Sequence, residues 1–219
     1  METIRTNVKR LSEKQRQAYQ KESSATVHEA MGRKGAVDSR IHSICRGMKV
    51  CGNALTVECH TGDNVMLVKA INMAKQGDVI VAKMGLASSI GPFGEVLATE
   101  CMEKKLAGLV VDSSVRDTKE LIGMGFPVFS AGIGISGTAK ATLGTINHDI
   151  AFGGVIIRPG DLILGDDDGV VVVPYEDVDE VISAVEKRTE KEAEYMERVR
   201  NGESLFDIYG YQNILDRLH

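Results

Sequence analysis

The sequence predicts an α/β fold: a layered α/β/β/α-type sandwich with a central parallel βαβ portion, a β-rich segment and a long C-terminal helix. Three observations predict it. Short apolar runs at 78–82, 109–111 and 127–130 alternate with amphipathic stretches of helical length, the pattern of parallel strands joined by helical crossovers. Residues 150–173 read instead as short strands broken by Gly-Gly, Arg-Pro-Gly-Asp and Asp-Asp-Asp-Gly turns. Residues 175–200 carry helical periodicity without a break.

In chain order, residues 8–21 read as a polar helix. Ser24 or Thr26 caps the next one, in SATVHEAMGRKG, which Gly32 and Gly35 close, and Thr26 with Glu29 has capping-box spacing. His28 has no second ligand type at metal-binding spacing and reads as a packed or surface histidine. Residues 48–59 alternate as a strand does, with Gly52 at a bulge. Asp63 caps NVMLVKAINMAKQ, whose apolar face carries Val65, Leu67, Val68, Ile71 and Met73, and Gly77 ends it. Residues 78–82 form a strand buried on both faces.

The glycine-containing loop KMGLASSIGPFG leads into a helix whose start suits Pro92 and whose positive end suits Glu95. Val96, Leu97, Cys101 and Leu106 give it an apolar side, and Gly108 releases the chain into strand 109–111. A helix of about 12 residues descends roughly 18 Å. A strand of about five or six climbs back a similar distance. Arg116 and Asp117 therefore return to the level of Glu95, at the carboxyl ends of parallel strands where such sheets bind ligands.

Residues 118–124 form a short helix and 127–130 a third strand. The stretch GIGISGTAKATLG has neither phosphate-loop nor dinucleotide spacing, so it reads as a surface or subunit-contact loop. The triplet Asp166, Asp167 and Asp168 lacks calcium-loop spacing and reads as a turn. Beyond Glu186 the long helix becomes KRTEKEAEYMERVR: a solvated face laced with i,i+4 ion pairs, or a surface lying across a neighbouring subunit. Gly202 stops it, before a short amphipathic tail. Residues 1–219 then form one domain, with 175–219 a helical extension.

With 219 residues, 43% of them hydrophobic, the chain can bury a sizeable core, and its net charge of −5 argues against nucleic-acid backbone as a partner. No apolar run reaches the roughly 18–20 residues of a membrane span, and METIRTNVKRLSEKQRQ lacks the apolar stretch of a signal peptide. Cys45, Cys51, Cys59 and Cys101 lack CxxC pairing and read as free thiols in a cytoplasmic protein.

The charged ends of the central helix–strand unit carry the chemistry. Asp117 offers a hard anionic oxygen suited to Mg²⁺ or Mn²⁺, and Glu95 a second carboxylate able to hold a metal-bound water. Arg116 offers a forked cation for a carboxylate or keto oxygen. A metal and an arginine chelating a 2-keto acid stabilise an enolate and make carbon–carbon cleavage beside it feasible. Taken alone, an Arg-Asp pair after a strand is an ordinary helix start.

Several stretches together say more: SATVHEAMG from Ser24, GDNVMLVKAI from Gly62, GEVLAT from Gly94, AGLVVDSSVRD from Ala107, GGVIIRPGD from Gly153 and DDDGVVVVP from Asp166. In these the chain resembles the class II pyruvate aldolases that act on 4-hydroxy-4-methyl-2-oxoglutarate and 4-carboxy-4-hydroxy-2-oxoadipate, within the wider family of the regulator of ribonuclease activity A. The likeness spans residues 24–210. It implies that Asp117 ligates the divalent metal, that Glu95 holds a metal-bound water, and that Arg116 contacts substrate. It implies too that the backbone of Gly94, Glu95, Val96 and Leu97 receives the substrate carboxylate. A neighbouring subunit's glutamate completes the family's site; Glu192 looks like that position, with Glu190 and Glu194 nearby. Homotrimers or homohexamers, pyruvate release and oxaloacetate decarboxylation as a side activity follow from the same resemblance. Alternatives are a non-catalytic regulator that binds a ribonuclease, a branch lacking the aspartate after the arginine, or a lyase or decarboxylase of another keto acid. The chain departs from the family pattern at Ser113, where glycine is usual, and at Lys83 in Ala82-Lys83-Met84-Gly85, where the family has Asp-Ala-Gly-Gly. Lys83 either adds a second cation for a dicarboxylate or points to water.

Overall fold

The computed structural model describes residues 2–85 and 89–218, so part of the loop KMGLASSIGPFG lies outside the described residues. Strands β2 (Val50–Glu58), β3 (Asp78–Lys83), β4 (Gly108–Val115) and β5 (Val128–Ile133) run parallel. Helices α3 (Val65–Met73), α4 (Glu95–Glu103) and α5 (Thr118–Met124) make the crossovers between them. Two strands of the β-rich segment, β9 (Leu162–Asp166) and β10 (Gly169–Val173), extend the sheet antiparallel on the β2 side. The short β1 (His42–Ser43) adds to β5, giving the order β1-β5-β4-β3-β2-β9-β10, with β6 (Thr145–Ile146) also on β2. Strands β7 (Ile150–Phe152) and β8 (Val155–Ile157) form a separate hairpin across Gly153-Gly154.

Side-chain alternation explains why the sheet curls nearly into a barrel. Along β3, Val79 and Val81 face one cluster with Val110, Phe129, Ile163 and Val172, whereas Ile80 and Ala82 face a second with Leu67, Ile71, Leu109 and Leu121. The first cluster is the barrel interior. The second is the layer under α3, α4 and α5. Both faces of the central strands are thus buried, as their continuous apolar runs predict. Gly165 on β9 lets the Phe129 ring of β5 approach to 3.1 Å from where a Cβ would stand, drawing opposite sides of the sheet together.

The outer face of β9 and β10 is covered by three helices: α1 (Glu13–Gln20), α2 (Ser24–Ala30) and the long α6 (Val178–Arg200). Tyr19 of α1 is fully buried there and donates its hydroxyl to the Val178 carbonyl at 2.7 Å. Two short exposed helices, α7 (Leu205–Ile208) and α8 (Gln212–Leu218), form the tail. No described helix is long and apolar enough to cross a membrane.

Local capping differs from expectation in instructive ways. The first helix begins only at Glu13, because Ser12 and Gln15 form a reciprocal capping box there. The cap of α2 is Ser23, not Ser24 or Thr26, since the Asp166 carboxylate takes both the Ser24 N–H and hydroxyl, at 2.7 and 2.6 Å. Helix α3 ends at Met73, before Gly77, as Ala74 turns extended and the Asp78 carboxylate takes the Lys75 N–H. Gly52 is not at a bulge, for β2 keeps unbroken register with β3 and β9. A Cβ at Gly52 would stand 2.3 Å from the Gly77 carbonyl oxygen, so glycine serves close backbone approach there.

Candidate functional site

The two ends of the α4–β4 unit meet. Strand β4 is longer than its apolar run suggests because Asp112, Ser113 and Ser114, all buried, continue it to Val115. Its register against β5 shifts between Val111 and Ser114. Ser113 donates its hydroxyl to the Ile90 carbonyl at 2.9 Å, and the Arg116 N–H bonds the Phe93 carbonyl at 3.0 Å. The segment before α4 is thereby stitched to the strand that delivers Arg116 and Asp117.

Asp117 occupies an unusual place. It is the N-cap residue of α5, in left-handed conformation at φ 55°, yet its carboxylate makes no bond to its own helix. Instead Oδ2 accepts the Glu95 N–H at 3.1 Å, supplying the cap that Gly94, lacking a side chain, cannot give α4. A Cβ on Gly94 would stand 2.2 Å from that oxygen, so only glycine leaves room for it. Left-handed residues without glycine's freedom carry a conformational cost and concentrate at functional sites. Arg116 lies with its Nε 3.8 Å from the same carboxylate, both side chains partly exposed.

These groups line an open cleft of about 360 Å³. Arg116, Asp117, Gly94, Val96 and Leu97 line it together with Asn64 and the loop residues Gly137, Thr138 and Lys140. The Ala98 N–H makes α4's first intrahelical bond, to Gly94. With the Glu95 N–H taken by Asp117, the N–H groups of Val96 and Leu97 at the helix's positive end have no partner among the described residues. Asn64, 7% exposed, donates to the Pro92 carbonyl at 2.9 Å, and its Oδ1 has no partner among the described residues.

The donor set suits a hard divalent cation held sparsely. Asp117 Oδ2 is committed to α4, and Oδ1 makes no bond to any described residue. Among the described residues there is no cluster of three or more histidines, cysteines or acids. Mg²⁺ or Mn²⁺ needs only one or two carboxylates and keeps its waters. Burial pushes the Cys51, Cys59 and Cys101 thiols up to about 12.

Not every expected residue is in the cleft. Glu95 is exposed at its edge, its main chain bound to Asp117. Glu192 pairs with Arg188 on α6 at 2.7 Å and borders a different hollow with Tyr195 and Tyr209; neither Glu190 nor Glu194 lines the cleft. Ser113, fully buried, is a tie between segments rather than a cleft wall. Lys83 pairs with Glu58 at 2.6 Å and lines a separate cavity of about 290 Å³, so it neither serves the cleft nor points freely to water.

The cleft's second cation is Lys140. The loop after β5, from residue 134 to 144, therefore lines the cleft and is more than a surface connection. Its signal in the sequence was a lysine among small polar residues in the stretch GTAKAT, which no named motif claims. Asn64 is the N-cap of α3, but Asp63, expected as that cap, still accepts the Val65 N–H at 2.9 Å. Its other oxygen accepts the N–H groups of Ala141 and Thr142, at 2.6 and 2.9 Å. One carboxylate so fastens the loop to the start of α3.

Comparison with known proteins gives a consistent picture. The family model described as RraA-like, Aldolase/RraA, matches residues 24–172. A protein of Halalkalibacterium halodurans named "Putative 4-hydroxy-4-methyl-2-oxoglutarate aldolase" is 38% identical over 152 residues, 68% of this chain and 71% of that one. A crystal structure of an uncharacterized protein from Pseudomonas syringae shares the fold with a TM-score of 0.82 at 23% identity, over 94% of this chain and 98% of that one. Streptomyces coelicolor RraAS2, titled an unusual member of the RNase ES inhibitor RraA protein family, superposes with a TM-score of 0.75 at 25% identity, over 86% and 98%.

Proposed function

The chain belongs to the Aldolase/RraA family, and from that premise we propose that it is a lyase: a divalent-metal-dependent class II pyruvate aldolase. Its substrate is a 4-hydroxy-2-keto acid, 4-hydroxy-4-methyl-2-oxoglutarate or 4-carboxy-4-hydroxy-2-oxoadipate, with oxaloacetate decarboxylation as a side activity. The observation that carries this reading is the meeting of the Asp117 carboxylate, the Arg116 guanidinium and the α4 N-terminus in one cleft.

Retro-aldol cleavage removes the proton of the 4-hydroxyl, breaks the C3–C4 bond and leaves its electron pair in a pyruvate enolate, which a proton at C3 converts to pyruvate. The 4-hydroxyl carbon departs as a carbonyl. Asp117 Oδ1 would hold the divalent cation, which would supply Lewis-acid stabilisation of developing negative charge. Arg116 takes the substrate's keto-acid end, and its fixed charge counters the charge gathering on the keto oxygen. The Val96 and Leu97 N–H groups receive the C1 carboxylate. Glu95, tied to Asp117 through its main chain, orders solvent for the proton transfers.

We place Glu192 of a second copy at the mouth of the cleft, in a homotrimer or homohexamer. What supports this is the exposure of Val96, 82%, and of Ile133 and Ile135, 66% and 88%, on the cleft wall and the strand end leading to it. Tyr209 and Tyr211, exposed on the tail beside the charged half of α6, suit the same packing.

A second reading, a non-catalytic ribonuclease regulator, draws on the likeness to RraAS2. In it Asp117 is only a surrogate helix cap. Pyruvate release measured over a panel of keto acids, with metal and with chelator, separates the two. Metal-dependent release supports the aldolase, and no release from oxaloacetate or either aldol substrate supports the regulator.

A further inference from the structure

The loop 134–144, which lines the cleft with Gly137, Thr138 and Lys140, ends in β6, a strand of two residues. So short a strand is held weakly by one neighbour, and β6 has two. Thr145 and Ile146 pair antiparallel with Glu58 and Val57 of β2, and Ile4 pairs parallel with Ile146. The Ile146 N–H donates to the Thr3 carbonyl at 2.9 Å, and the Arg5 N–H donates to the Ile146 carbonyl at 3.1 Å. Ile146 is fully buried, so residues 3–5 satisfy backbone groups that water does not reach. Asn147 follows in left-handed conformation, φ 59°, and its side chain donates to the Arg5 carbonyl at 2.7 Å. Ile4, half-buried, packs against the core cluster that contains Ile146. Residues 3–5 precede the stretch that the family model matches, 24–172.

This attachment is separate from the next one along the chain. Arg10 pairs with the fully buried Asp78 at the start of β3, and the Leu11 N–H donates to Asn53 Oδ1 of β2 at 2.7 Å. The Lys9 carbonyl oxygen lies 2.5 Å from where a Cβ on Gly160 would stand. Thr6 and Asn7, between the two attachments, are exposed and make no hydrogen bond to any described residue. Three hydrogen bonds and one half-buried isoleucine only modestly exceed the backbone entropy lost on ordering residues 3–5. Those residues can therefore release by local opening while 9–11 stay in place.

Their release reaches the cleft. Asp63 holds the middle of the loop through the Ala141 and Thr142 N–H groups, and only Leu143 and Gly144 separate Thr142 from β6. Gly144 lies so close to β2 that a Cβ there would stand 1.8 Å from the Glu58 carbonyl oxygen. A two-residue link pressed against the sheet leaves little slack. We infer that residues 3–5 are a clasp for the cleft loop. Docked on β6, they keep 134–144 in its cleft-lining position; released, they loosen the loop without unfolding the sheet. The cleft's affinity for a keto acid then depends on a segment outside the cleft lining, a step that rests on the function proposed above.

Hydrogen exchange of the full chain, read by mass spectrometry, tests the clasp without a ligand. Arg5→Pro removes the N–H that the Ile146 carbonyl accepts. Asn147→Gly removes the bond to the Arg5 carbonyl and suits the positive φ. In both variants peptides spanning 136–146 exchange at least about threefold faster than in wild type, the scale of one lost hydrogen bond, while peptides from β3 and β4 are unchanged. Acceleration below about threefold in either variant overturns the clasp, as does equal acceleration in β3 and β4, the mark of general destabilisation. Pyruvate affinity, measured calorimetrically with Mg²⁺, falls by about threefold or more in both; a smaller fall in either, with a faster loop, overturns the link to the cleft. A wild-type protein that binds no pyruvate refutes the keto-acid reading, and the exchange result alone then decides the clasp.

Discussion

Replacing Gly94 by alanine tests the geometry of the cleft without touching a charged group. The added Cβ would stand 2.2 Å from Asp117 Oδ2, 3.0 Å from Asp117 Cγ and 3.1 Å from Arg116 Cγ. Gly94 itself has an extended backbone, φ −160°, which any residue adopts, so no backbone strain confuses the result. Ordinary van der Waals separation requires the carboxylate to withdraw by about 1 Å, which breaks its 3.1 Å bond from the Glu95 N–H. Loss of that cap costs about 1 kcal/mol, too little to unfold the chain. In the proposed roles of Asp117 and Arg116, a displacement of about 1 Å lowers kcat/KM on the order of 100-fold. Coupled pyruvate release measures the second effect and urea unfolding the first. A Gly94→Ala protein with near-wild-type turnover would refute the placement of Asp117 against α4.

Other regions give independent checks. Gly52→Ala, with its Cβ 2.3 Å from the Gly77 carbonyl oxygen, should destabilise the fold by about 1–3 kcal/mol in urea unfolding; a change near zero would restore a bulge at that position. Asp63 is held below the usual carboxylate range by the N–H groups of Val65, Ala141 and Thr142. A carboxyl depressed on folding stabilises above its unfolded value of about 4 and loses that contribution as pH falls through its folded value. Urea unfolding across that acid range should therefore show a shallower pH dependence for Asp63→Asn than for wild type, and identical slopes would contradict the role given to its three bonds.

Much of this was legible in the sequence because it rests on local rules. Apolar runs buried on both faces, glycine-rich turns at 153–154 and the length of the last helix all follow from periodicity, and the structure has them. Residues 95 and 117 meet as expected, but α4 has nine residues and β4 eight rather than about 12 and five or six, so helix and strand rise alone do not account for it. What the sequence hid depends on partners far away in the chain. Ser24 fails as a cap because Asp166 takes it, 142 positions on. Gly52 is small for the sake of Gly77. Lys83 had the better sequence claim to be the second cation, lying at the end of a central strand, but Glu58 on the parallel neighbour neutralises it. Lys140 had no such claim, and it reaches the cleft through the hold of Asp63 on its loop. Asp117 is the intermediate case: its residue type suggested a hard oxygen donor, whereas its left-handed backbone and its service as cap to another helix were visible only in three dimensions.

The central claim is that Asp117 carries a divalent cation for cleavage of a 4-hydroxy-2-keto acid. Pyruvate release from 4-hydroxy-4-methyl-2-oxoglutarate, followed with Mg²⁺ or Mn²⁺, with chelator, and in Asp117→Ala, tests it most directly. The account predicts that chelation abolishes release, that returning the metal restores it, and that Asp117→Ala falls by roughly 1,000-fold or more, about 4 kcal/mol of transition-state stabilisation. Release that survives chelation, or that is undiminished in Asp117→Ala, would contradict it.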